Sequence, residues 1–315
     1  MIKFYVLPIR CLRQLFIAAE AFMLHCIKHH RLKIVYFLHP ISAALLLLVV
    51  GLYTWYELQF ILPGMCNTSG SFYKINCFLA IYMLHNIVGN LFCCWRTDTS
   101  FLAVAKARQH PIASEAHLWH LCTHCQMLVP PRAWHCRLCN TCMLKRDHHC
   151  NISANCIGHT NQRYFIALLT HLTVGNLVVF IYNAVYVFMV RLPVFSDPLI
   201  FLTQFQGFDP VKYFESFKQN PNWIIINGAI LKISIFSLVF VASQLGMQLY
   251  MVSRGSCMYF LQDRSYDLGF LNNWRLVLGK RMLWTFVSPF IRSPQPSDGT
   301  QWLVTRKPEE LKKPA

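Results

Sequence analysis

Cys122-Thr123-His124-Cys125, His135-Cys136-Arg137-Leu138-Cys139-Asn140-Thr141-Cys142, Asp147-His148-His149-Cys150 and Cys156 place seven of the chain's fourteen cysteines within thirty-five residues. Thiolates and imidazoles at Cys-x2-Cys spacing are ligands for structural zinc, which takes four in a tetrahedron and leaves no position open. This stretch offers more ligands than one zinc uses. The eight best candidates are Cys122, Cys125, His135, Cys136, Cys139, Cys142, His149 and Cys156. Interleaved, they make two sites of three cysteines and one histidine each. Buried free cysteines are one alternative reading. A cross-braced zinc domain of ubiquitin-ligase type is another, although its spacing does not accommodate adjacent His135-Cys136 or the Asp-His-His-Cys run.

Division into two sites leaves over His124 and the group Asp147, His148 and Cys150. A free thiol titrates near about 8.5, and a neighbouring imidazolium favours the thiolate. Cys150 lies two residues from His148 and three from Asp147. An acid that holds a histidine, and a histidine that activates a cysteine, is the logic of a catalytic triad. On spacing alone the competing reading stays open: Cys150 as a spare structural ligand and Asp147 as a solvated loop charge.

The sequence around this stretch is apolar. Of 315 residues, 55% are hydrophobic and 13% charged, and the mean hydropathy is +0.37. Such a composition belongs to a polytopic membrane protein. A formal charge of +16 would suggest nucleic acid in a soluble protein; beside membrane segments it reads as basic flanks facing the cytoplasm, with no nucleic acid partner. Four runs can cross the bilayer: about Ile34 to Tyr56, Ile75 to Trp95, Tyr164 to Val190, and Ile233 to Val252. Pro63-Gly64 and Ser69-Gly70 mark turns between the first two. No internal repeat is evident.

Charge sets the orientation. The arm to Lys33 holds six Lys/Arg, the loop Arg96–Arg163 eight, and the tail after Val252 ten. The loop Glu57–Lys74 holds one and the loop Arg191–Lys232 four. Both termini and the Cys-rich loop therefore fall on the cytosolic side, where thiols stay reduced and free for metal. The expected fold class is all-α and polytopic: four transmembrane helices, with a cytosolic Cys-rich two-zinc loop domain between the second and third. Its divisions are a basic arm (1–33), helices 1–2 (34–95), the zinc domain (96–163), helices 3–4 (164–252) and a cytosolic tail (253–315).

The run from Cys122 to Phe165 resembles the DHHC protein S-acyltransferases. The resemblance rests on Cys122-x2-Cys125, Pro130-x-Arg132-x2-His135-Cys136, Cys139, Cys142, Asp147-His148-His149-Cys150, Cys156-x-Gly158, Asn161 and Phe165. The four-span topology and the tail segment Asn273 to Gly279 are similar as well. The resemblance implies that Cys150 accepts the acyl group, His148 is its general base and Asp147 orients His148. It gives one structural zinc to Cys122, Cys125, His135 and Cys142, and the other to Cys136, Cys139, His149 and Cys156. It implies palmitoyl-CoA or another long-chain acyl-CoA as donor, and cytosolic-face protein substrates with membrane-proximal cysteines. It also implies an endoplasmic reticulum or Golgi membrane, and a tail in which Asn273 hydrogen-bonds against the helices. Gly175, twenty-five residues past Cys150, would line the acyl slot; the competing reading is a glycine that lets helices pack closely. Arg132, Lys145, Arg146 and Arg163 are candidate phosphate contacts.

Four positions depart from the family pattern. Thr99-Ser100 stands where Pro-Gly usually follows the aspartate, and Ser256-Cys257-Met258-Tyr259 where Thr-Thr-x-Glu is usual. Ile152 replaces a tryptophan, and Val129 a basic residue. They bear on how the loop is anchored and keep a second reading open, a non-catalytic membrane adaptor that retains the zinc fold.

Overall fold

Residues 35–187 and 221–305 are described in the computed structural model. The expected N-terminal arm, most of the loop after the third span and the last ten residues lie outside them. Among the described residues four helices are long and apolar enough to cross a membrane: α1 (Val35–Met65), α2 (Ser71–Arg96), α3 (Gln162–Val185) and α4, whose apolar stretch is Ile226–Ser253. The shortest, at 24 residues, reaches about 36 Å and exceeds a hydrocarbon core of about 30 Å. Their outer faces carry Phe37, Phe78, Ile81, Phe236 and Val239, all exposed. Helices apolar all round suit lipid rather than water.

Where the helices meet, Ile87 and Leu91 of α2 pack on Leu168 and Leu172 of α3, with Leu46 and Val50 of α1 and Val241 of α4 around them. The first helix runs past its expected end and takes in Pro63-Gly64, which corrects the turn read there. Two local features allow this. The helix is π-helical over Glu57–Ile61, so Pro63 does not follow a regular i−4 ladder. Gly64 lies against the Tyr186 ring, which a Cβ would meet at 2.4 Å. Only Cys66 to Gly70 remain as the connection, closed by Gly70 N donating to Asn67 O at 3.0 Å.

Between α2 and α3 the chain forms three two-stranded antiparallel hairpins. They are β1 (His120–Cys122) with β2 (Met127–Val129), β3 (Trp134–Cys136) with β4 (Thr141–Met143), and β5 (His148–Cys150) with β6 (Asn155–Ile157). The loop is tied to the end of α2, whose last carbonyls need partners: Asn155 Nδ2 donates to Cys94 O (3.1 Å) and Thr97 O (2.9 Å). Gly158 lets the segments after β4 and β6 approach closely, since a Cβ there would meet Leu144 O at 2.5 Å. After α4 the short helix α5 (Phe270–Leu278) packs Trp274, Val277 and Leu278 on Ile166 and Val252. Asn273, 2% exposed, donates to Ser253 O at the end of α4 (3.1 Å) and to Asp267 Oδ1 (2.8 Å).

Candidate active site and metal centres

The three hairpins repeat every fourteen residues, which corrects the reading that no repeat exists. Cys122, Cys136 and Cys150 end their first strands. Gln126, Asn140 and Ala154 follow at one equivalent position, all with left-handed φ (53°, 52° and 49°). Between them stand Cys125, Cys139 and, in the third hairpin, Ser153. The amide of Cys125 donates to Cys122 Sγ at 3.4 Å and that of Cys139 to Cys136 Sγ at 3.5 Å; the Ser153 amide does the same for Cys150. Cys150 is thus the first cysteine of a third zinc-type turn whose second cysteine is a serine.

Two groups of four ligating side chains assemble from this repeat: Cys122, Cys125, His135 and Cys142, and Cys136, Cys139, His149 and Cys156. Each takes the cysteine pair of one hairpin and the histidine and strand cysteine of the next. In the first, Cys125 Sγ lies 3.3 Å from His135 Nδ1 and 3.7 Å from Cys142 Sγ. In the second, Cys136, Cys139 and Cys156 Sγ lie 3.7, 3.3 and 3.6 Å from His149 Nδ1. A tetrahedron with zinc–sulfur bonds of about 2.3 Å has edges of about 3.8 Å, so both donor sets fit zinc. Thiols this close would otherwise gain little from one another. His149 also turns Nε2 to His39 Nε2 of α1 at 3.1 Å, an outer contact of the kind that orients metal-bound imidazoles.

The third hairpin has no following hairpin with which to share, and Cys150 belongs to neither group of four. His148 Nδ1 donates to Asp147 Oδ2 at 2.9 Å, and His148 and Cys150 are joined by a side-chain hydrogen bond. Gln248 Nε2 of α4 donates to Asp147 Oδ2 at 2.7 Å, and Met258 N to Asp147 Oδ1 at 2.6 Å. Burial pushes Asp147 up, yet its bonds to His148, Met258 and Gln248 outweigh that and hold the carboxyl below its usual range. Burial works against charge on His148 too, but Asp147 and Cys150 raise it to about 9. Desolvation raises the Cys150 thiol, and His148 with the Ser153 amide more than offsets it, so the thiol is lowered. An imidazolium beside a thiolate is the state these contacts favour.

Several participants carry no sequence signal. Gln248 is reached through a buried chain in which Lys145 Nζ donates to Gln162 Oε1 (2.7 Å) and Gln162 Nε2 to Gln248 Oε1 (3.0 Å). Lys145 is therefore inside the fold, its pKa lowered to about 7 by burial and then by Arg132. Arg132 is also buried, donating to Gly255 O at 2.7 Å between the Tyr266 and Trp302 rings. Neither is a free phosphate contact, which corrects the expectation for both. Arg146 lies over Tyr259, and Arg163 lies over Tyr164 and donates to Ser293 O at 2.6 Å.

The departing positions turn out to hold the loop by other means. Thr99 O accepts from Leu144 N at 2.9 Å, and Ser100 bridges to Met143. In the Ser256–Tyr259 segment the Met258 amide supplies the donor to Asp147, while Tyr259 stacks on Trp134 at 5.3 Å. Val129 is fully buried with Phe101 and Trp119.

Below Cys150 a cavity of about 240 Å³ opens between the four helices. Leu46, Val50, Ile87, Leu172, Gly175 and Val241 are among its walls. Val241 also packs with the cluster that holds Cys150 and Phe165, and Ile152 sits over Ile87 and Leu172. A Cβ on Gly175 would meet nothing within 4 Å.

Residues 115–262 match the DHHC palmitoyltransferase family. The chain is 30% identical to the probable palmitoyltransferase ZDHHC24 of Mus musculus over 234 residues, 70% of this chain and 75% of that one. It is 28% identical to palmitoyltransferase PFA3 of Candida glabrata over 57% of this chain and 54% of that one. Over 59 residues, 19% of this chain and 16% of the relative, it is 48% identical to palmitoyltransferase ERF2 of Eremothecium gossypii.

Proposed function

We propose a route for the acyl group in this chain, which belongs to the DHHC palmitoyltransferase family and is a protein S-palmitoyltransferase: it passes through a thioester on Cys150. The observation that carries the proposal is Cys150 itself. It stands in a zinc-type turn, outside both ligand groups, bonded to His148 and packed in the same cluster as Val241, which lines the apolar cavity.

Acyl-CoA is the donor. His148 takes the Cys150 proton, and the sulfur attacks the thioester carbonyl. The new carbon–sulfur bond forms as the bond to CoA breaks, and the CoA thiolate leaves with the proton from His148. In the second half, His148 takes the proton of a substrate cysteine thiol, whose sulfur attacks the Cys150 thioester. Cys150 leaves as thiolate and recovers the proton. One thioester replaces another, so the protein's contribution is a ready thiolate and a fixed geometry. Asp147, held by three donors, keeps His148 in place. The zincs that the two groups would hold are structural, supplying folding free energy.

Protein thiols and acyl-CoA are the partners. On the finer points, we place the substrate cysteines close to the membrane, because Cys150 sits at the helix ends. We also place both termini in the cytosol, a reading that the positive loop and tail support, and the protein in endoplasmic reticulum or Golgi membranes, a reading that rests on the family resemblance alone. Tagged protein found solely at the cell surface would contradict that last placement. These contacts and relatives favour the enzyme over a non-catalytic adaptor.

The route is tested by loading purified protein with labelled palmitoyl-CoA, removing the donor and adding a cysteine-containing membrane-anchored peptide. The label should sit on Cys150 in hydroxylamine-labile form and move to the peptide. Label that reaches the peptide without ever residing on Cys150 would sink the route.

A further inference from the structure

Away from Cys150 the cavity wall changes character. Glu57, where α1 becomes π-helical, lines it and is 7% exposed. Such helix widenings often accompany functional sites. Asn183 of α3, fully buried, donates from Nδ2 to Glu57 Oε1 and to Val179 O (2.9 Å). Within this pair two acceptors, Glu57 Oε2 and Asn183 Oδ1, are left without a hydrogen-bond partner among the described residues, as are Asn86 Oδ1 and Asn90 Oδ1 of α2 outside it. The cavity's other polar side chains are supplied. Tyr182 OH donates to Asn76 Oδ1 at 2.9 Å, Ser237 Oγ to Asn176 Oδ1 at 2.6 Å, and Thr54 Oγ1 to Val50 O at 2.8 Å. Buried acceptors left open are rare, and rarer in a hydrocarbon setting.

Depth decides what reaches them. Ser42 Oγ of α1 contacts Asn151 O, next to Cys150, at 3.2 Å. Glu57 follows fifteen residues later, roughly 22 Å along the helix at its usual rise. That is comparable to a fully extended long acyl chain, so the terminal carbon of a chain held on Cys150 comes level with Glu57, which lines the cavity, and with Asn183 bonded to it.

We propose that Glu57 and Asn183 form a hydroxyl subsite, and that this enzyme accepts in preference long-chain acyl groups carrying a hydroxyl at the terminal carbon. The inference rests on the acyl-transfer route through Cys150. A terminal hydroxyl donates to one acceptor and, when the Glu57 carboxyl carries its proton, accepts from it; a methyl end does neither and leaves both buried atoms unpaired. Sites built to bond a substrate hydroxyl discriminate strongly against the analogue lacking it.

The test uses purified full-length protein given equal 16-hydroxyhexadecanoyl-CoA and hexadecanoyl-CoA, with the two Cys150 adducts separated by mass. The hydroxylated adduct should dominate about tenfold, one good hydrogen bond's worth. Glu57→Leu and Asn183→Leu should each bring the ratio to one or below. A wild-type ratio at or below one overturns the subsite even if neither variant folds, and means that a trapped water serves the two acceptors. An equal preference for 2-hydroxyhexadecanoyl-CoA, whose hydroxyl lies at the wrong end, also overturns it. A hexadecanoyl adduct alone leaves the acyl-transfer route standing and the subsite rejected. No adduct from any donor rejects both.

Discussion

His148 and His149 are neighbours on β5 and face opposite ways, as alternate residues of a strand must. One ring meets Asp147 and Cys150 and lies edge-on to Phe165 at 5.0 Å; the other meets Cys136, Cys139 and Cys156. Substitution should therefore separate chemistry from folding. His148→Ala should remain folded and load the acyl group about 10²–10⁴-fold more slowly, the usual cost of a lost general base. His149→Ala should lose a metal ligand and fold poorly, because structural zinc supplies folding free energy. Metal content and loading rate of both variants, measured together, decide it; zinc lost from His148→Ala and kept in His149→Ala would reverse the assignment. Spacing set His149 among the eight ligand candidates and His148 apart with Asp147, but it left Cys150 readable as a spare ligand. What settles the role of Cys150 is the fourteen-residue hairpin register, visible in the second and third hairpins as His-Cys, x2, then Cys or Ser. Gln248 was not legible at all, since nothing in an apolar segment says which amide turns inward to a carboxylate a hundred residues away.

Among the elements, the four helices were legible because apolar runs of this length have few other uses. Their ends were not. Glu57 and Pro63-Gly64 look like a loop in sequence, yet Asn183 bonds the carboxyl and the π-helical turn accommodates the proline, so α1 continues to Met65. Gly175 on α3 had two readings, a gap for close helix packing or an open slot wall. The empty space around its absent Cβ favours the slot. Wild-type protein should then load octadecanoyl as well as hexadecanoyl groups. Gly175→Phe should cut octadecanoyl loading at least about tenfold relative to tetradecanoyl, the scale on which a pocket rejects extra methylenes. Competition among acyl-CoAs reads this directly, and sharp exclusion of eighteen carbons by the wild type would mean the slot ends higher.

For the molecule as a whole, the hairpin domain is clamped at the helix ends. Asn155 caps α2, Asp147 takes a donor from α4 and another from the segment after it, and His149 reaches α1. The order of four spans with the Cys-rich loop between the second and third was legible from the apolar runs and the motif order. The clamp was not, because at Thr99-Ser100 and Met258 it uses backbone groups, which any residue can supply. The proposed orientation predicts that tags at either end and near Ala107 are cut by protease added outside sealed microsomal vesicles; protection of the Ala107 tag would overturn it. The central claim is that the third hairpin keeps the zinc-type turn but withholds its cysteine from metal and gives it to the acyl group. Native mass spectrometry after exposure to palmitoyl-CoA tests it in one spectrum. Wild-type protein should carry two zincs and one palmitoyl group, and Cys150→Ser two zincs and none; a zinc lost from the variant, or a palmitoyl group retained on it, would contradict the claim.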